Sequence, residues 1–358
     1  MNIEAHFKDK LSSIMFLEIN RETLQKVFKV DLNESIYIPL KAKNIVDTVK
    51  AENNMDKIPV AFFIEGMFYV LGADIKFKFN DCYKIILKNT KDSVPLIKAE
   101  IADRVKNKNY EDAYILLKGL LCVEKTEEVY DKTIFIIDRL RIMNNDYRNE
   151  ELEILEGAES IDNYALPYFY HAIIEKERED YEKALFYINN YISKGGEETL
   201  EVTDFKESVK SVVDFDRAKE ILNENPKEAL KKLIPLIDTF GDHASLYYYI
   251  AVGYRMLQNY EKAIYYLNEA LSIDSSIVEI VNEMGINYAS IGDYKTALAY
   301  LRKAFEATKS VEICTNIIMC YLNLGDMDNA KLNYDIAKKL DPNDEIVLQI
   351  KGYLEKDQ

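Results

Sequence analysis

The side chains best suited to catalysis are few in this sequence and widely spaced. Its three histidines are His6, His171 and His243, and its closest cysteines, Cys314 and Cys320, lie six positions apart with no histidine near them. That spacing suits neither a zinc site nor a Cys-x-x-Cys redox pair. The sequence contains no Gly-x-Gly turn and no Gly-Lys-Ser or Gly-Lys-Thr phosphate-binding loop. We therefore predict that the protein is not an enzyme and has no catalytic residue, metal or cofactor.

The amino-acid composition limits the classes of partner and the cellular compartment that we expect for this protein. The 358 residues include 62 acidic and 46 basic ones, which gives a net charge of −16, and 48% of them are hydrophobic. The hydrophobic fraction excludes a wholly disordered chain, and the negative charge disfavours nucleic acid or an anionic membrane as the partner. Four scattered cysteines and a charged start without a signal peptide indicate a cytoplasmic protein.

One apolar segment, residues 58–73, is long enough to require a membrane test. A spanning helix needs roughly 20 apolar residues. This segment is shorter and has Glu65 near its centre. We predict that it is a buried helix of the core.

A short phrase recurs along the chain and ends each time in alanine. It occurs at 109–113, 180–184, 259–263 and 293–297, for example as Asn-Tyr-Glu-Lys-Ala. Ala229 and Ala330 extend the series, so that alanines 229, 263, 297 and 330 are 34, 34 and 33 residues apart. A constant step of this size indicates one supersecondary unit stacked on copies of itself.

The spacing predicts that each unit forms two helices joined by a polar turn. Apolar residues recur at helical spacing before Gln258-Asn259 and again after it. We expect Asn259 and Asp293 to cap the second helix of their units. The residues with this spacing in the clearest unit are Tyr247, Ile250, Ala251, Tyr254, Ala263, Leu267 and Ala270.

This pattern resembles a tetratricopeptide repeat (TPR) protein of the bacterial type, most strongly from 244 to 342, well at 165–191 and recognisably at 94–121. The resemblance implies an all-α fold, a right-handed superhelical solenoid of antiparallel helix pairs. The residues that carry it are Val281, Met284, Gly285, Tyr288, Ala297, Leu301 and Ala304 in one repeat, and Ile317, Tyr321, Ala330, Tyr334, Ala337 and Pro342 in the next.

The repeats become irregular towards the N-terminus. Glu150 stands where a middle unit would have its alanine, and the eleven extra residues between Ala184 and Ala229 point to a long loop at Gly195-Gly196. We predict three segments: a cap or small module at 1–55, a degenerate helical hairpin at 56–93, and the solenoid with a C-terminal capping helix at 94–358. Residues 14–19 and 35–40 are β-prone and suit a strand pair, but an all-helical N-terminus fits nearly as well.

In this family the concave face of the solenoid binds partners. The lysines of the carboxylate clamp found in some members are missing from the corresponding positions, and the chain is acidic, so we expect a neutral or basic peptide segment rather than an acidic one. The groove positions carried over from the family are Phe169, Tyr170, Ile173, Tyr248, Tyr249, Val252, Arg255, Asn282, Glu283, Ile286, Thr315, Asn316 and Met319.

The favoured function is a scaffold or adaptor that binds a peptide segment of another protein in this groove. An alternative is a regulatory sensor in which peptide binding to the repeats controls an N-terminal output module. Residues 1–55 would be that module, although they show no basic recognition helix. A third possibility, an enzyme with its active site in the irregular N-terminal region, has no motif in its favour.

Overall fold

A computed structural model describes residues 2–32, 35–41 and 58–356, which form two compact units, Met1–Val202 and Thr203–Gln358. Both units consist almost entirely of helices, so the expected all-α fold is confirmed. The predicted boundary between residues 55 and 56 lies outside the described residues, and the division into 1–55, 56–93 and 94–358 stays a prediction. Over these ranges, no helix combines the length and hydropathy required to cross a bilayer.

The first unit begins with a small mixed module. It contains α1 (Ile3–Lys10), β1 (Ile14–Ile19), α2 (Arg21–Phe28) and β2 (Ile36–Lys41). The strands pair antiparallel, with Ile14 opposite Lys41 and Ile19 opposite Ile36. The strand pair, one of the two alternatives that the sequence left open, is therefore the one present.

The rest of the first unit is helical, and its centre is the apolar helix α3. Residues Phe63–Ala73 of α3 are all buried, as predicted for this segment, and the helix packs against α6 and β2. The helices are α3 (Val60–Ala73), α4 (Asn80–Asn89), α5 (Ser93–Lys106), α6 (Tyr110–Leu121), α7 (Glu127–Met143), α8 (Arg148–Ala158), α9 (Leu166–Glu177), α10 (Tyr181–Ser193) and the start of α11 (Leu200–Ile221).

The second unit is a stack of helix pairs, α14 with α15, α16 with α17 and α18 with α19. The C-terminal helix α20 packs on α19. After α11, its helices are α12 (Pro226–Leu233), α13 (Ile237–Phe240), α14 (Ala244–Met256), α15 (Tyr260–Ile273), α16 (Val278–Ser290), α17 (Tyr294–Thr308), α18 (Val311–Asn323), α19 (Met327–Leu340) and α20 (Glu345–Lys356). Short 3₁₀ turns occupy Leu11–Ser13, Asn145–Tyr147 and Ile234–Leu236.

The extra residues between Ala184 and Ala229 lie mostly in a helix, and the prediction of a long loop at Gly195-Gly196 is wrong. Helix α11 has 22 residues, whereas α14 in the regular pair has 13. The sequence of α11 contains no glycine or proline that would end it earlier. The insertion therefore lengthens a helix by more than two turns.

One three-residue turn joins the two helices of each regular pair. Its middle residue has a positive φ, 59° at Gln258 and 84° at Gly292, and the next residue caps the second helix. The side chains of Asn259 and Asp293 accept hydrogen bonds from the backbone N–H groups three residues later, so both predicted caps are confirmed. The backbone N–H of Asn259 also donates to the carbonyl of Tyr254 at 2.8 Å, which satisfies the end of the first helix.

The alanines of the sequence ladder lie where helices approach each other. Each is completely buried: Ala113, Ala184, Ala229, Ala263, Ala297 and Ala330. Glu150, which replaces alanine in the irregular unit, is also buried. It accepts hydrogen bonds from the Tyr114 hydroxyl at 3.0 Å and from Lys118 Nζ at 2.6 Å. The partners on α6 compensate this carboxylate, which explains why the repeat tolerates it.

Helices α3 and α6 cross with almost no space between their backbones. A Cβ added at Gly72 would lie 1.8 Å from the carbonyl oxygen of Ile115, and one at Gly119 would lie 1.9 Å from that of Phe68. Only glycine permits this approach, because a backbone carbonyl cannot rotate away as a side chain can.

We expect Gly72→Ala to destabilise the first unit by about 3 kcal/mol, since the added methyl group forces α3 away from α6. Gly352→Ala is the matched control, because a Cβ there meets no atom within 4 Å. Urea denaturation followed by circular dichroism measures both. A Gly72→Ala protein that unfolds at the wild-type urea concentration would show that the crossing is not close.

Ion pairs join the N-terminal module to α6 and α3. Lys10 Nζ lies 2.6 Å from Glu111 and 2.9 Å from Asp112, and Lys41 Nζ lies 3.0 Å from Glu65. Burial alone would raise the pKa of Asp112 and of Glu111. The hydrogen bonds and charge of Lys10, together with Tyr147 at Glu111 and Lys41 at Asp112, outweigh burial and hold both pKa values below their usual range. Folding thus favours the ionised form of both carboxyls.

Acid should therefore weaken the attachment of this module. The stabilisation is complete above the unfolded pKa values of about 4 and is lost as the pH falls through the lower folded values. We expect Lys10→Met to move the acid-unfolding midpoint, measured by circular dichroism, upward by roughly half a pH unit. Lys26→Met, which removes an exposed charge from α2, should leave the midpoint unchanged.

Candidate functional site

The candidate site of the second unit is built on the first helix of each pair, α14, α16 and α18. The same turn joins each of these helices to its partner. Equivalent positions of the three helices therefore lie on the same face of the unit. Of the predicted groove residues on them, Glu283 and Thr315 are buried and Met319 is 45% exposed. The others are half-buried: Tyr248, Tyr249, Val252, Arg255, Asn282, Ile286 and Asn316.

Two pockets meet on α18. One, of about 580 Å³, lies between α18 and α20 and is lined by Thr315, Asn316 and Met319. The other, of about 280 Å³, lies between α18 and the α16–α17 pair and is lined by Ile286, Asn316 and Met319. The structure therefore brings four of the predicted residues together, and two of them line both pockets.

Arg255 and Glu283 are engaged with each other. Arg255 Nε donates a hydrogen bond to Glu283 Oε1, which ties α14 to α16, and Asn287 Nδ2 donates to the same oxygen at 3.1 Å. Glu283 is only 4% exposed. Both charges thus serve to join neighbouring repeats.

The predicted residues on α14 also pack within the unit. Tyr248 lies against the apolar cluster of the α14–α15 pair. Tyr249 and Val252 pack against the cluster formed with α11 and α12, where the Tyr249 ring meets that of Phe215 at 5.7 Å, edge to face. Burial raises the pKa of Tyr248, and the negative charge of Glu283 raises it further.

The remaining three predicted residues lie on α9, in the first unit. Phe169 contacts the ring of Tyr191 at 5.3 Å, and Tyr170 packs against the apolar core. Ile173 is half-buried. They neighbour one another but belong to a different unit from the pockets on α18.

The sequence did not indicate that residues of α20 would line the larger pocket. Ile346, Gln349 and Tyr353 line the larger pocket, together with Leu322 and Asn323 from the end of α18. The apolar spacing of Ile346, Ile350 and Tyr353 was visible in the sequence and indicated an amphipathic helix. It did not indicate which side of the last repeat that helix would cover.

Of the histidines and cysteines, Cys320 alone lines one of these two pockets among the described residues. His171 is 3% exposed and its Nδ1 lies 2.5 Å from Glu159, so it occupies a core position of the first unit. Cys314 and Cys320 are buried, and burial raises the pKa of Cys320 to about 11. Across the described part of the chain, no three His, Cys, Asp or Glu residues are placed to hold a metal ion.

Comparison with known families identifies the repeats of the second unit. The tetratricopeptide repeat profile matches residues 244–276, 278–310 and 311–344. Residues 244–344 are tetratricopeptide repeats. Each match begins at the first helix of a pair and ends after the second, so the TPR units are α14–α15, α16–α17 and α18–α19. No curated protein sequence matches the chain.

Solved structures of TPR proteins are similar to part of the chain. YrrB, described as a TPR protein with an unusual peptide-binding site, is 18% identical, with 55% of this chain and 96% of YrrB covered and a TM-score of 0.38. The MamA protein is 15% identical, with 49% and 90% covered and a TM-score of 0.37. TTC0263, a TPR protein of Thermus thermophilus, is 17% identical, with 53% and 98% covered and a TM-score of 0.35.

The ion pair between Arg255 on α14 and Glu283 on α16 provides a test of stability. Glu283→Met leaves Arg255 without this carboxylate, and we expect a loss of about 2 kcal/mol in the free energy of unfolding. Arg255→Met/Glu283→Met removes both charges and should be less destabilised than Glu283→Met, as urea denaturation will measure. If the free energy of unfolding lost in the double variant equals the sum of the losses in Glu283→Met and in Arg255→Met, the two charges are not coupled.

Proposed function

We propose that this protein is a non-enzymatic, cytoplasmic scaffold or adaptor that holds a peptide segment of a partner protein on the face of its TPR units. Stacked helix pairs generally present such a face as their binding surface. The observation that carries the proposal is the pair of pockets that meet at Asn316, Met319 and Asn323.

The chemistry of the pockets suits a peptide. Met319, Ile346 and Tyr353 offer apolar surface that a side chain of the partner would cover. Asn316, Asn323 and Gln349 carry amide groups, which both donate and accept hydrogen bonds and thus match the N–H and C=O groups of an extended backbone. Pockets of this volume take one or a few side chains each.

Charge favours a neutral or basic segment. Among the described residues, the only charged one that lines either pocket is Glu312. The chain as a whole carries −16, so an acidic segment would be repelled on approach. Arg255, the one cation among the groove candidates, is neutralised by Glu283.

A library of twelve-residue peptides displayed on phage, selected on the full chain, tests the site. Met319→Asp places a charge where the two pockets meet, and Asn316→Ala removes an amide from both. We expect each variant to bind the selected peptides at least tenfold more weakly, because both residues line the shared region. Fluorescence anisotropy with synthetic copies of the peptides measures the affinity.

Leu332→Asp is the matched control, since Leu332 is a 60% exposed apolar residue of α19 that lines neither pocket. It should bind as the wild type does. Peptides that bind Met319→Asp and Asn316→Ala at full affinity would place the site elsewhere. An excess of acidic peptides among those selected would contradict the expected charge preference.

A further inference from the structure

A separate pocket of about 520 Å³ lies within the first unit. Residues of α4, of the ends of α6 and α8, of the start of α7 and of the segment after α3 line it. Its lining includes the apolar residues Ile75, Leu121 and Ile154. The volume falls within the range of sites for small organic ligands.

Three lysines line this pocket in a chain whose net charge is strongly negative. They are Lys84 on α4, Lys118 on α6 and Lys125 in the turn after α6. Their charges act together on the thiol of Cys122, which also lines the pocket. Burial raises the pKa of that thiol, while Lys84, Lys125 and Lys118 each oppose the rise.

Two of these charges remain largely available. Lys118 Nζ lies 2.6 Å from the buried carboxylate of Glu150, which neutralises it. Lys84 pairs at 3.1 Å with Asp81, whose side chain is 93% exposed, so this pair is weak. Lys125 forms no ion pair within the described ranges. One acidic side chain, Glu153, lines the pocket, and it is exposed to solvent.

Tyr130 adds a neutral donor. Its hydroxyl lies beside Gly157, 3.2 Å from the position that a Cβ would occupy there, and both residues line the pocket. Because residue 157 is glycine, it places no side chain against this hydroxyl. Two ammonium groups and a hydroxyl thus line the same pocket, together with apolar side chains.

From this arrangement we propose that the pocket binds a small organic phosphate monoester. Above its second pKa of about 6 the phosphate carries nearly two negative charges and three acceptor oxygens, which match Lys84, Lys125 and the Tyr130 hydroxyl. The organic part of the ligand lies against the apolar residues of the lining. Small molecules with a single carboxylate offer only one charge and two acceptors, and they bind more weakly.

Phenyl phosphate is the probe, titrated into the full chain at pH 7.5 and low salt by isothermal titration calorimetry. We expect saturable binding with a dissociation constant below about 1 mM, and at least tenfold weaker binding to Lys84→Met/Lys125→Met. Lys106→Met/Lys108→Met removes the same charge from exposed positions outside the pocket and should change the affinity less than about twofold.

Two further measurements identify the group that is recognised. At pH 5 the phosphate is a monoanion while the lysines stay charged, so affinity should fall relative to pH 7.5. Benzoate, with the same ring and one carboxylate, should bind more weakly than phenyl phosphate. Saturating phenyl phosphate should also slow alkylation of Cys122 relative to Cys82, read by mass spectrometry of the digested protein.

Several results would overturn the proposal. They are the absence of saturable binding up to about 10 mM phenyl phosphate, unchanged affinity in Lys84→Met/Lys125→Met, and an equal loss in the control variant. Benzoate binding as tightly as phenyl phosphate would refute recognition of the phosphate. Circular dichroism of each variant establishes that it is folded, so that a loss of binding reports on the pocket.

Discussion

The structure depends on helix backbones that approach each other closely where the side chain is small or missing. In the first unit the contact is between Gly72 and Gly119, where any side chain would collide with a carbonyl oxygen. In the TPR units it is provided by completely buried alanines such as Ala263 and Ala297. Close approach is favourable because it brings many atom pairs to their optimal separation at once. Larger residues then fill the space on either side.

The recurring turn between paired helices reproduces this contact in each repeat. A residue with positive φ followed by Asn or Asp ends one helix and caps the next within three positions. Because each turn satisfies the same backbone groups, each pair has the same geometry. The first helices of successive TPR units then present equivalent positions on one face. The two pockets on α18 follow from this regularity, together with the helix that ends the stack.

Charge plays different roles in different parts of the molecule. The buried or half-buried pairs Arg255–Glu283 and Lys118–Glu150 join neighbouring helices, and most other charges lie at the surface. Lys84 and Lys125 differ from both groups, because they face a pocket and have weak or no carboxylate partners among the described residues. In the proposed phosphate site, these two lysines would attract a small anion even though the chain as a whole is negative.

The sequence alone determined the local features of this protein. The alanine spacing, the caps at Asn259 and Asp293 and the buried helix at 58–73 all follow from residues close together in the chain, since helix periodicity and capping act over a few positions. Tertiary structure decided between a strand pair and helices at the N-terminus, because short apolar segments suit either until a partner covers them. It also placed the extra residues between Ala184 and Ala229 in α11, and it packed Tyr249 and Arg255 against neighbouring helices. The lysine pocket was beyond sequence reasoning for the same reason, since its walls come from residues 75 to 157 and meet only when the chain is folded.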